Sequence, residues 1–214
     1  RRQRQMCIRD RYGTVWERDS SGNRLVGADG KPTQSNPDNF LGNAQPDWLA
    51  GWSNSFFYKN FSLNVLIDGR FGGVVYSGDS SRLDSYGVSE RSLQYRESGV
   101  VLDAVDPNGA ANTVNITGQE YWQRIADIAE PYVYAQDNVR LRELAIGYSF
   151  PDVSALGMES VNLQLIGRNL FFINKKAEDI DPEAALGTNL GGQGIALGNL
   201  PTLRSIGLNV TLKF

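Results

Sequence analysis

At 214 residues, 41% apolar and 21% charged, the chain has the composition of a folded protein. It contains no histidine and one cysteine, which excludes Ser-His-Asp and Cys-His catalysis, a histidine-rich zinc site and an internal disulfide. No run approaches the ~18 consecutive apolar residues of a membrane helix; strands remain possible as membrane spans, because each needs only ~10 residues and every second one can be polar.

The first eleven residues, Arg1 to Arg11, hold five of the 21 basic residues and the only cysteine, Cys7. They look like translated sequencing-adapter sequence, so residues 1–11 are set aside as non-native and 12–214 are read as the protein proper. What remains has 16 basic and 23 acidic residues, a net charge of −7, which argues against nucleic acid as a partner. No signal peptide opens the chain; for an exported protein this places the native start upstream.

Tyr12 to Gln45 is rich in Gly, Asn, Asp and Pro, with turn signals at Ser21-Gly22-Asn23 and Asp29-Gly30-Lys31-Pro32. A loop with a small hairpin is expected. Trp48 to Tyr58 is the first strand, with Trp48, Ala50, Trp52, Phe56 and Tyr58 on one parity and Leu49 and Phe57 as exceptions. A helix is the alternative, since the aromatics also fit a spacing of four. Lys59-Asn60 turns the chain, and Phe61 to Tyr76 reads as a long second strand.

Ser77 to Asn138 is a long connection with one expected helix. Thr117-x-x-Glu120 is a capping box, Tyr121, Trp122, Ile125 and Ile128 follow at helical spacing, and Pro131 stops the run. Trp122 can stack on a sugar ring or simply pack its own helix. Val139 to Phe150 is the third strand, with a phase slip near Leu141 that fits a bulge. Pro151 to Ser160 is a turn, Val161 to Ile173 a fourth strand, and Asn174 to Pro201 a long glycine-bearing loop.

Ser205 to Phe214 has the most regular alternation. Ile206, Leu208, Val210, Leu212 and Phe214 share one parity and are expected to face lipid; Asn209, Thr211 and Lys213 hold the other and are expected to face a lumen. Soluble edge strands usually carry charge or proline against unwanted pairing; here Lys213 is the sole charge. Connections alternate long, short, long, short, long, as in outer-membrane barrels with short periplasmic turns and long extracellular loops. A spanning sheet must close to satisfy its backbone, and bacterial barrels begin at ~8 strands. Five strands therefore make part of a barrel.

Several strings, in order from about Thr14 to Phe214, resemble the closing segment of SusC/RagA-type TonB-dependent receptors. They include Gly42-Asn43-Ala44-Gln45-Pro46-Asp47-Trp48, Tyr58 to Leu63, Asp68-Gly69-Arg70-Phe71-Gly72-Gly73, Val139 to Leu144, Gly147 to Pro151, Gly167 to Phe171, Asp181-Pro182-Glu183 and Pro201 to Phe214. The resemblance implies an all-β fold: a partial antiparallel transmembrane β-barrel of about five C-terminal strands, with long extracellular loops and one short loop helix. It implies the bacterial outer membrane and active import of oligosaccharides or peptides. The implied partners are the TonB complex, a SusD-like surface lipoprotein and membrane lipid. It implies neither an enzyme nor a cofactor. Leu208, Val210, Leu212 and Phe214 resemble the barrel assembly signal.

Asp179, Asp181 and Glu183 alternate in an acidic loop. An EF-hand counted from Asp179 needs Gly at its sixth position and Glu at its twelfth, where Ala184 and Leu190 stand. A solvated or lid-contacting loop is the preferred reading, with Trp122 as a further extracellular contact. Gly187 to Gly198 lacks the Gly-Lys-Ser/Thr of a phosphate loop. Two alternatives stand beside the transporter. One is a soluble β-sandwich carbohydrate-binding module, which would bury its apolar faces against each other. The other is a glycan hydrolase, which needs two carboxylates facing each other across a cleft.

Overall fold

The computed structural model describes residues 10–151, 153, 157–184 and 192–214. Most of the set-aside stretch, and Gly187 to Gly191 of the glycine-bearing loop, lie outside them. Asp10 and Arg11 open a short strand, Asp10–Gly13, that pairs antiparallel with Asn39–Asn43. The chain forms two compact units.

One unit, Pro46–Gly72, Gln136–Glu183 and Leu200–Phe214, is built on an antiparallel five-stranded sheet. Its strands are β1 (Trp48–Tyr58), β2 (Phe61–Phe71), β3 (Asn138–Phe150), β4 (Ser160–Lys175) and β5 (Ser205–Lys213), in the order β5-β4-β3-β2-β1. The expected strands are all present, and Trp48 to Tyr58 is strand rather than helix. The second is shorter than its alternation suggests. Gly72 and Gly73 both adopt positive φ, 77° and 81°, a region closed to most side chains. They end β2 at Phe71, and Val74–Ser77 goes to another sheet.

Register converts sequence alternation into two chemically distinct faces. Leu208, Leu165, Ile146, Leu63 and Phe56 lie side by side across all five strands, and Val210, Leu163, Tyr148, Phe61 and Tyr58 form the adjacent row. On the opposite face Asn209, Gln164, Gly147 and Ser62 are neighbours. A one-residue slip in any pair would mix the two sets.

The other unit comprises the described residues of Arg1–Gln45, Gly73–Ala135 and Ala184–Asn199. It holds two helices, α1 (Gly78–Ser85) and α2 (Gly118–Ala126). Both halves of the capping box form on α2: the Thr117 hydroxyl accepts from the Glu120 N–H, and the Glu120 carboxylate accepts from the Thr117 N–H. Helix α1 has a weaker signature, a Ser77 cap on a polar octapeptide, and was not visible in the sequence pattern. The expected hairpin is present as bridges Arg18 to Arg24 and Val26 to Pro32. A closed hydrophobic core runs through this unit, from Trp16 and Val26 to Ile116, Trp122, Ile125, Ile128 and Tyr132.

Candidate functional site

The first functional surface is the apolar face of the five-stranded sheet. Its side chains do not assemble a core: Leu208 is 68% exposed, Leu165 52%, Ile146 49% and Phe56 50%. A contiguous apolar face of this size is unusual on a soluble monomer and marks contact with lipid or another protein. A sandwich requires a second sheet over that face, and among the described residues this unit has none.

Aromatics sit at both ends of the face. Trp48 pairs with Phe71 at one end, and Tyr58 pairs with Phe61 at the other, where Tyr148 stacks edge-to-face on Phe61 at 4.6 Å and Phe150 on Tyr148 at 4.6 Å. The ten steps between these pairs span ~33 Å along a strand. With the ~40° tilt of a barrel strand this projects to ~25 Å, the height of the apolar band of an outer-membrane barrel. The chain leaves β1 and β3 and enters β2 and β4 at the Tyr58 end, whereas it enters β1, leaves β2, re-enters at β3 and leaves β4 at the Trp48 end.

The second functional surface is an ion network on the polar face near the Trp48 end. The phase slip near Leu141 is its origin. Leu66 pairs with Glu143 and Ile67 with Leu141, so Arg142 is an extra residue in β3. That bulge returns Arg140 to the polar face opposite Asp68 and lets Arg142 reach the same place. Arg142 Nε donates to Asp68 Oδ2 at 2.6 Å and Nη1 to Asn169 Oδ1 at 3.1 Å, and its remaining nitrogen pairs with Glu183. Arg140 Nη1 donates to Glu183 Oε2 at 3.0 Å and lies 3.8 Å from Asp181 Oδ2. The Arg140 guanidinium also covers the Phe172 ring at 4.4 Å. Asp181 accepts from the Thr202 N–H at 3.0 Å and hydroxyl at 2.6 Å, and from the Glu183 N–H at 3.0 Å.

These contacts bring together Asp68, Arg140-Leu141-Arg142, Asn169 and Asp181-Pro182-Glu183, from four of the strings that carry the family resemblance. The three acids of the loop separate. Asp181 and Glu183 turn inward, with only 7% and 9% of their side chains exposed, while Asp179 remains in solvent. The inward pair is engaged by two guanidinium groups and a threonine, an arrangement that clasps the loop rather than one that moves protons. Trp122 is buried in the core of the other unit, its indole N–H donating to the Gln94 carbonyl at 3.1 Å. Leu208, Val210 and Leu212 line the free edge strand β5, with Phe214 just beyond it at 81% exposure. The sequence reading missed Arg140, Arg142 and Asp68 as a site, although the bulge signal near Leu141 lay between the two arginines.

Burial works to raise the Asp181 pKa, but the Thr202 bonds, the Glu183 N–H and the Arg140 charge outweigh it and hold the carboxyl below its ordinary range. A lowered folded-state pKa contributes stability that is fully present above the ordinary aspartate value of ~3.9 and is lost as pH falls through the lower, folded value. The protection of the amides of residues 176–184, their exchange rate relative to the intrinsic rate at each pH, is therefore expected to be constant from neutral pH down to about 4 and to fall below it. Protection already lost above that range would contradict the clasp.

No family model matches the chain. TonB-dependent receptor P3 of Formosa agariphila is 27% identical over 207 residues, covering 92% of this chain and 19% of the receptor. TonB-dependent receptor P26 of the same organism is 27% identical over 185 residues, covering 80% and 17%. The RagAB peptide importer in its closed-closed state superimposes with a TM-score of 0.60 at 16% identity, over 95% of this chain and 21% of that one. The RagAB peptide transporter gives a TM-score of 0.57 at 15% identity, over 96% and 22%. The chain thus spans about a fifth of the length of the relatives it matches. It is similar in sequence to TonB-dependent receptors and shares its fold with part of the RagAB importer, in agreement with its strand order and two-faced sheet.

Proposed function

We propose that this chain is part of the barrel wall of an outer-membrane TonB-dependent active transporter. The observation that carries the reading is the uncovered apolar face, aromatic at both ends and of barrel height. Lipid is the solvent that makes such a face favourable. The polar face then lines the lumen, and the long segments lie outside the cell. The role is transport rather than catalysis. Oligosaccharides or peptides are the cargo, energised through the TonB complex and captured with a SusD-like surface lipoprotein. RagAB, which shares the fold, is described as a peptide importer.

Uptake of labelled oligosaccharides and peptides by cells with and without the full-length receptor tests this. Loss of uptake of either class in the deletion strain is expected; unchanged uptake of both would count against import. Leu208, Val210, Leu212 and Phe214 are the proposed assembly signal, presented along a free sheet edge. Removing Phe214 from the full-length receptor is expected to cut the heat-modifiable, inserted fraction severalfold. Wild-type insertion would rule out that role.

A further inference from the structure

We infer that Asn108 is a site of spontaneous covalent modification, where attack by the Gly109 backbone nitrogen and hydrolysis by water convert the asparagine to isoaspartate and aspartate. Asn108 is the only asparagine followed by glycine in the sequence. The neighbour matters because the attack closes a five-membered ring through that neighbour's nitrogen, and a side chain there crowds the closing ring. Glycine has none, and a carbon built at the Gly109 Cβ position would meet no atom within 4 Å. The pair sits at the tip of a hairpin. Its arms are joined by the Val105 to Ala111 bridge, by the Asp106 N–H donating to the Ala110 carbonyl at 2.8 Å and by the Asn112 N–H donating to the Ala104 carbonyl at 2.9 Å. Pro107, Asn108, Gly109 and Ala110 are all exposed. The Asn108 side chain has a single long contact among the described residues, 3.4 Å from Nδ2 to Asp106 Oδ2, which leaves Cγ open to attack. The Gly109 N–H donates to the Asp106 carbonyl at 3.0 Å; this turn bond has to open first, and at an exposed tip such bonds open at little cost. Asn54, Asn64, Asn138, Asn162 and Asn209 differ on both counts: they lie in the five-stranded sheet, and each precedes a residue with a side chain.

The step balances with water as the only co-reactant. Hydroxide removes the Gly109 amide proton, and the electron pair of that nitrogen forms a bond to Asn108 Cγ. The Cγ–Nδ2 bond breaks, and ammonia leaves with a proton taken from water. A water molecule then opens the cyclic imide at either carbonyl. Opening at the main-chain carbonyl leaves isoaspartate, with an extra methylene in the backbone; opening at Cγ leaves aspartate. Asp106 is a poor base for the first step, because the bond from the Ala110 N–H, ahead of those from Asn108, holds its carboxyl below the ordinary range. Solvent hydroxide therefore sets the rate. Either product puts a carboxylate in place of a neutral amide, in the same exposed loop as Asp103 and Asp106, so the loop gains negative charge as the protein ages.

The modification does not depend on the transport reading. The test is peptide mapping by mass spectrometry of the purified full-length receptor after incubation at neutral and at mildly alkaline pH. The peptide holding Asn108 is expected to gain about 1 Da, with isoaspartate and aspartate forms both resolved. The rate is expected to rise about tenfold per pH unit, because the deprotonated share of a group far below its pKa rises in that proportion. Asn162 and Asn209, in the sheet, are expected to stay unmodified. Gly109→Ala is expected to slow the reaction severalfold. Alanine is strained at the Gly109 φ of 84°, so Asn108→Gln serves as a second variant: it leaves the neighbour glycine in place, needs a six-membered ring and is expected to show almost no conversion. Unmodified Asn108, equal modification along the sheet, an unchanged rate in either variant, or reaction only after unfolding in urea overturns the site. The last outcome would show that the turn bond from Gly109 to Asp106 protects it.

Discussion

Arginine in place of Ile206 is expected to destabilise the inserted full-length receptor by about 2–4 kcal/mol, whereas arginine in place of Asn209 is expected to cost less than about 1 kcal/mol. The two positions are three residues apart on β5 and both are exposed. They differ in the face they serve. Ile206 lies in the row of Leu144 and Val65, near the middle of the apolar face, where in the proposed barrel an ion would meet the hydrocarbon midplane. Asn209 lies beside Gln164 on the polar face, where water or protein receives the charge. In a water-soluble sheet the two replacements would behave alike, because exposed substitutions seldom exceed ~0.5 kcal/mol. Denaturant unfolding of each variant from lipid vesicles measures the difference. Equal costs at the two positions would falsify the assignment of the apolar face to lipid.

The second large effect concerns the ion network. Arg140→Met is expected to cost about 3 kcal/mol and to release residues 176–184 to rapid hydrogen exchange. Removing one partner of a buried ion pair typically costs 3–5 kcal/mol, because the remaining charge is stranded. The lower end applies here, since Arg142 still meets Glu183 and Thr202 still holds Asp181. Adding Glu183→Gln to Arg140→Met is expected to cost less than the sum of the two single substitutions, because the Arg140 contact of Glu183 is already lost in the first. Strictly additive costs for the two substitutions would show that the pair is not coupled. Uptake by the same variants then reports whether a clasped loop is needed for transport.

Strand positions and face chemistry were legible in the sequence because a sheet has a side-chain period of two. Ser205 to Phe214 could be assigned residue by residue, as could the two-part cap on α2, which is a local signal; Trp48 to Tyr58 left a helix open, because its aromatics also fit a spacing of four. The end of β2 was less legible: its alternation runs on past Phe71, and only the paired positive φ of Gly72 and Gly73 shows where the strand stops. Helix α1 was hidden because its polar octapeptide carries almost no amphipathic signal.

The network at Arg140 and Arg142 depended on tertiary structure altogether. The sequence held its parts as a phase slip, two arginines and an acidic tripeptide some forty residues apart. Nothing local says that a bulge turns both arginines toward one face, or that the loop folds back so that Asp181 and Glu183 meet them. Pairing register does say so, because it places Asp68 opposite Arg140 and leaves Arg142 unpaired between two ladders. Local periodicity thus determined which residues could face lipid. Only the assembled sheet decided which charges would be buried together, since that depends on long-range register and loop return, and neither has a period in the chain.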